Sequence, residues 1–214
     1  MAADLDFAAD FPGKSRSQGI PEVYQHDHMV ARRQVFKLVG AAFRLQTTDG
    51  RLLAYSKQKA FKLKEDIRVY AEEAQETALL HIQADRVIDF SAAYRVVDAT
   101  TGEPIGSLRR KGWSSMFRDS WEILDPQGTV RGRVLEDSSW KALVRRTIDL
   151  ASILMPQTFL IQVDGRTVAT MRQNHNVFAP KFFVDLGADT EGILPRPLAI
   201  AAVILLLAIE GRQA

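Results

Sequence analysis

The segment LAIAAVILLLAI, residues 198–209, runs for twelve residues without a polar side chain, and what covers it decides the fold. A transmembrane helix needs about 20 mostly apolar residues to cross roughly 30 Å of hydrocarbon. At about 1.5 Å of rise per residue this segment reaches only about 18 Å. It cannot be extended, because Pro195, Arg196 and Pro197 precede it and Glu210, Gly211 and Arg212 follow. A single-span anchor with a snorkelling Arg196 is the alternative left open. On a helical wheel Leu198, Ile200, Val203, Ile204, Leu205, Leu206, Leu207 and Ile209 point in every direction. A helix apolar all round has to be enclosed all round. Pro195 and Pro197 suit its first turn and Gly211 its end. A central helix is therefore expected near 196–211, and the rest of the chain has to supply a cylinder.

The preceding chain reads as the wall of one. Four stretches, FRLQTTDGRLLAYS (43–56), YRVVDATTGEPIGSL (94–108), WEILDPQGTVRGRV (121–134) and FLIQVDGRTVATM (159–171), place turn chemistry between runs of β-formers. Each run ends at Asp49, Asp98, Asp125 or Asp164, and Gly50, Gly102, Gly128 or Gly165 follows. Asp caps a tight turn and Gly supplies positive φ, which is hairpin chemistry. Four residues beyond each glycine stands a small residue: Ala54, Gly106, Gly132 and Ala169. Even spacing from the turn puts all four on one face of their strands. Facing inward, such a row leaves room for a helix about 10–12 Å across.

Further strands are expected at 35–46, 67–73, 78–84, 91–98 and 178–186, for about eleven or twelve in all. That number of strands builds a barrel wide enough to hold a helix. SSWKALVRRTIDLA (138–151) breaks the pattern with Trp140, Leu143, Val144, Ile148 and Ala151 at helical spacing. It reads as a short amphipathic helix capped by Asp137 or Ser138. Residues 1–34 read as an irregular tail and 35–214 as one barrel domain. The fold expected is mainly β: a closed antiparallel β-barrel of about twelve strands around a hydrophobic C-terminal helix.

The order of these features resembles the tubby C-terminal-like superfamily, in its LURP-one-related and phospholipid-scramblase-like branch. The stretches carrying the resemblance are KQKAFKLKEDIRVYAEE (57–73), DFSAAYRVVDATTGEPIGSLRRK (89–111) and PLAIAAVILLLAIEG (197–211). The resemblance implies a twelve-stranded barrel closed around its last helix. It also implies an acidic calcium stretch before that helix, here NHNVFAPKFFVDLGADTEG (174–192). Asn174 and Asn176 stand where that pattern has carboxylates, leaving Asp185, Asp189 and Glu191 as weak calcium candidates. Polar loop residues beside a helix N-terminus are the plainer reading.

Composition narrows the function by exclusion. The 214 residues are 46% hydrophobic and 25% charged, as in a folded globular protein. The chain has no cysteine, which removes disulfides, thiolate metal sites and thiol catalysis. A net charge of +2 points to no nucleic-acid partner. MAADLDFAAD at the start carries acids where a secretory signal needs a basic region, and a cytoplasmic location is expected. No P-loop, G-x-S-x-G elbow, G-x-G-x-x-G or H-E-x-x-H motif is present. His26-Asp27-His28 sits in the expected tail without a fixed supporting shell, and His81 reads as a lone strand histidine. No enzymatic activity and no cofactor are expected.

Basic clusters carry the remaining signal. Residues 105–147 hold nine Lys or Arg against five acids. RRKGWSS (109–115) sets Arg109, Arg110 and Lys111 beside Trp113, and KQKAFKLK (57–64) sets Lys57, Lys59, Lys62 and Lys64 around Phe61. Cations beside an interfacial aromatic suit anionic head groups at a membrane surface. Charged outer faces also keep a barrel soluble and its strands from pairing edge to edge. Three readings stand: a barrel docking on anionic phospholipid or phosphoinositide head groups, an adaptor binding another protein, and a calcium-dependent scramblase-like membrane protein. On the first reading, reversing Arg109 and Arg110 abolishes vesicle binding without unfolding the barrel.

Overall fold

A computed structural model describes residues 19–36, 40–59, 66–84, 93–111, 120–137, 157–174 and 181–209. Twelve strands follow in order: β1 (His28–Phe36), β2 (Gly40–Gln46), β3 (Leu52–Lys59), β4 (Asp66–Tyr70), β5 (Ala78–Ala84) and β6 (Ala93–Asp98) form the first half. The second half is β7 (Pro104–Arg110), β8 (Trp121–Leu124), β9 (Val130–Glu136), β10 (Thr158–Val163), β11 (Arg166–Gln173) and β12 (Lys181–Asp185). Each pairs antiparallel with its neighbours in sequence, and β1 pairs with β12 to close the barrel. Closure removes every sheet edge. A helix, α1 (Arg196–Ile209), ends the described chain.

The helix is enclosed, as its sequence requires. Every residue from Pro197 to Ala208 is buried, and Leu198, Ile200, Val203 and Ile204 expose nothing. Large side chains on all sides of α1 join one continuous core with the inward residues of the wall, among them Phe43, Ile82, Leu108, Ile161 and Met171. Burying each Leu, Ile or Val contributes about 1.5–3 kcal/mol. The approach to α1 is held by Asp189, whose carboxylate accepts the backbone N–H of Ile193 at 2.9 Å and of Leu194 at 3.0 Å.

The row of small residues has a second role. In all four hairpins the second strand carries one extra residue, a β-bulge, and the small residue follows it directly. Leu53 bulges before Ala54, Ile105 before Gly106, Arg131 before Gly132 and Val168 before Ala169. Bulges bend and twist a strand, which lets a wall curl around a narrow filling. Gly106 shows why the position stays small. A Cβ there would stand 2.5 Å from the Leu124 carbonyl oxygen and 3.2 Å from Leu198 Cδ2 of α1, and its φ is +154°. Ala54 and Ala169 lie in the core with α1, whereas a Cβ on Gly132 would collide with the Gln162 carbonyl of the neighbouring strand.

Two boundaries differ from the sequence reading. The expected tail over 1–34 is too long, because β1 begins at His28 and forms the closing seam with β12. Ahead of it a single 3-10 turn, Glu22–Gln25, already places Val23 and Tyr24 in the core. The strand expected over 35–46 is two strands, β1 and β2. Alternation in HMVARRQVF is masked by the adjacent Arg32 and Arg33, although Met29 and Ala31 do face inward. The amphipathic helix expected over 138–151 lies outside the described residues.

Candidate functional site

Up-and-down topology sorts the connections between two ends of the barrel. At one, the hairpin end, lie the turns 47–51, 71–77, 99–103, 125–129 and 164–165, with the 19–27 and 186–195 segments that lead into β1 and α1. These segments hold eleven carboxylates and one basic side chain, Arg51. The acids are Glu22, Asp27, Asp49, Glu72, Glu73, Glu76, Glu103, Asp125, Asp164, Asp189 and Glu191. Several are turn builders: Asp125 Oδ1 accepts the N–H of Gln127 at 3.0 Å and of Thr129 at 2.7 Å. Glu72 Oε1 accepts those of Glu76 and Thr77. The segments joining strands at the far end carry, in sequence, nine Lys or Arg against six acids. Among the described residues, negative charge is thus concentrated at the hairpin end.

The three calcium candidates do not converge. Asp185 Oδ1 accepts the Gly187 N–H at 2.8 Å and lies 3.4 Å from His28 Nδ1. Both oxygens of Asp189 are taken by the backbone before α1. Glu191 is held by both terminal nitrogens of Arg166, at 2.7 and 3.0 Å. Among the described residues no group of three His, Asp or Glu is arranged to hold a metal ion. His26, Asp27 and His28 likewise turn to separate partners: Glu22, Arg196 and Asp185.

Of the basic candidates, Arg109 and Lys111 are brought together, but around a carboxylate. Register places Arg109 opposite Glu122. Arg109 donates to Glu122 Oε2 through Nε at 2.9 Å and Nη2 at 2.6 Å, while Lys111 Nζ lies 2.7 Å from Oε1. The Glu122 side chain is only 7% exposed. Burial pushes its carboxyl pKa up, yet the hydrogen bonds from Lys111 and Arg109 outweigh this and hold it below the usual range. Two of the three cations are therefore spent on an internal acid. Arg110 occupies the alternate face, opposite Trp121, where its charge acts on the buried Tyr94 hydroxyl. Reversing Arg109 would set a carboxylate against Glu122, so that substitution is expected to destabilise the barrel. Lys57 is exposed on β3. The Lys59 side chain, Lys62, Lys64 and Trp113 lie outside the described residues.

Closure of the barrel assembles cations that the sequence reading passed over. Arg32 on β1 stands directly opposite Lys181 on β12, and Arg172 on β11 lies one strand further round. None of Arg32, Arg172, Lys181 and Lys57 has an ion-pair partner among the described residues. Some 140 residues separate Arg32 from Arg172 and Lys181, so no local pattern links them. Among the described residues no helix is long and apolar enough to cross a membrane.

Compared with known families, residues 53–206 match the LURP-one-related family model. The chain belongs to the LURP-one-related family. No curated protein and no solved structure matches it. The match runs from β3 into α1, so the first two strands of this LURP-one-related barrel, including the closing β1, lie ahead of it.

Proposed function

We propose that this LURP-one-related barrel is a non-enzymatic, tubby-like docking module that holds to anionic phospholipid or phosphoinositide head groups on a cytoplasmic membrane surface. The observation that carries this reading is the segregation of charge: acidic turns at the hairpin end, and, on the opposite half of the wall, Arg32, Arg172, Lys181 and Lys57 without an ion-pair partner among the described residues. Near an anionic surface each such cation contributes about 1 kcal/mol. Four give weak, salt-sensitive attachment, while repulsion of the acidic end orients the barrel. The scramblase reading draws less support, because α1 is enclosed and the acids before it are engaged with their own loop and with Arg166.

Sedimentation with vesicles tests the proposal. The detergent-free full chain is expected to pellet with phosphatidylserine-containing vesicles at low salt, to stay in solution at high salt, and to ignore pure phosphatidylcholine. A chain that pellets with neither lipid at low salt contradicts the proposal and favours the protein-binding alternative.

A further inference from the structure

Resting on that reading, we propose that Phe183, framed by Arg172, Lys181 and Arg32, is the point where the barrel wall enters the head-group layer of an anionic bilayer. Phe183 is 51% exposed, between the inward Phe182 and Val184. Among the described residues the only other exposed large hydrophobic is Val130, at the hairpin end. Leaving a phenylalanine in water forgoes the stabilisation that its burial gives elsewhere in the wall. On the outer face the β1 partner of Phe183 is the buried Val30, and three basic side chains stand around the pair. Arg172 is the cross-strand partner of Phe183 on β11, Lys181 lies two residues away on the same strand, and Arg32 faces Lys181 from β1. Cross-strand partners stand about 4.5–5.5 Å apart, so ring and cations form one patch.

The outer face of β12 reads Lys181, Phe183, Asp185 from the far end towards the hairpin end. Cation, ring and carboxylate follow one another along a single strand, with the carboxylate nearest the acidic hairpin turns. A surface approached far end first meets Lys181, then the ring, and leaves Asp185 outside. A lone aromatic among cations on a convex wall suits a soft, penetrable anionic layer. A protein partner needs about 800 Å² of complementary surface per side, and one ring with three cations is far short of that.

The chain has no cysteine, so Phe183→Cys in the full-length protein takes a polarity-sensitive thiol dye at one position. With phosphatidylserine-containing vesicles the dye at 183 is expected to shift to the blue, and a dye on Val130→Cys is expected not to respond. Arg172→Glu is expected to weaken vesicle partitioning roughly tenfold with an unchanged melting temperature. If unlabelled protein pellets with anionic vesicles while the dye at 183 stays unshifted, the docking reading stands and this inference fails. If the protein does not pellet at all, both fail. A dye that responds to a polyacidic peptide but not to vesicles also overturns the inference, in favour of an acidic protein partner.

Discussion

Arg109 and Lys111 lie within three residues of one another, while Arg32, Arg172 and Lys181 are scattered over 150. In sequence the first group looks like a site and the second like nothing. In the folded barrel the roles reverse: the compact cluster closes on buried Glu122, and the scattered cations stand together beside Phe183 without a carboxylate partner among the described residues. A run of cations records how much charge a segment carries. Cross-strand register decides whether that charge stays inside the protein's own network or remains available to something else.

The largest perturbation should remove both groups at once. Leu205→Asp puts an unpaired charge inside the core around α1, and the loss should exceed the roughly 5–15 kcal/mol that holds a domain together. Circular dichroism is expected to show an unfolded chain.

Next in size, Arg109→Glu sets a second carboxylate against Glu122 and should cost about 3 kcal/mol or more, read as a lower urea midpoint. Arg172→Glu should change the stability read from that midpoint by less than about 0.5 kcal/mol. Equal destabilisation by the two substitutions would erase the distinction between the groups.

A smaller effect separates them further. Glu122→Gln removes the acceptor charge and should cost about 1.5–3 kcal/mol. It also releases Arg109 and Lys111, so low-salt binding to anionic vesicles should tighten a few-fold. The pH dependence follows from the depressed pKa of Glu122. A carboxyl held below its unfolded value stabilises the fold above the usual carboxylate range, and that stabilisation is lost as pH falls through the folded value. Stability of the native chain should therefore decline on the acid side more steeply than that of Glu122→Gln, as urea titrations at several acid pH values would show.

The inside of the molecule was largely legible and the outside was not. LAIAAVILLLAI demands enclosure whatever surrounds it, and Asp-Gly turn chemistry is local, so α1 and four hairpins follow from short windows. Spacing from a turn placed Ala54, Gly106, Gly132 and Ala169 on one face without fixing which one; the bulge before each and the position of α1 decide it. The closing strand β1 escaped notice because Arg32-Arg33 interrupts its alternation and its partner β12 lies about 150 residues away. Strand alternation did hold one clue to the basic cluster. Consecutive Arg109 and Arg110 on a strand face opposite ways. That Glu122 would meet Arg109 depended on the β7–β8 register, which no turn signal in 111–120 specifies.

The account rests on α1 staying inside its own barrel while the wall makes contact outside. Hydrogen exchange of residues 198–208, with and without phosphatidylserine vesicles, tests this most directly. The amides of α1 are expected to be among the slowest in the chain and to keep the same rates when the protein is vesicle-bound. Faster exchange in α1 on binding would mean that the helix leaves the barrel for the bilayer, and would contradict docking through the wall.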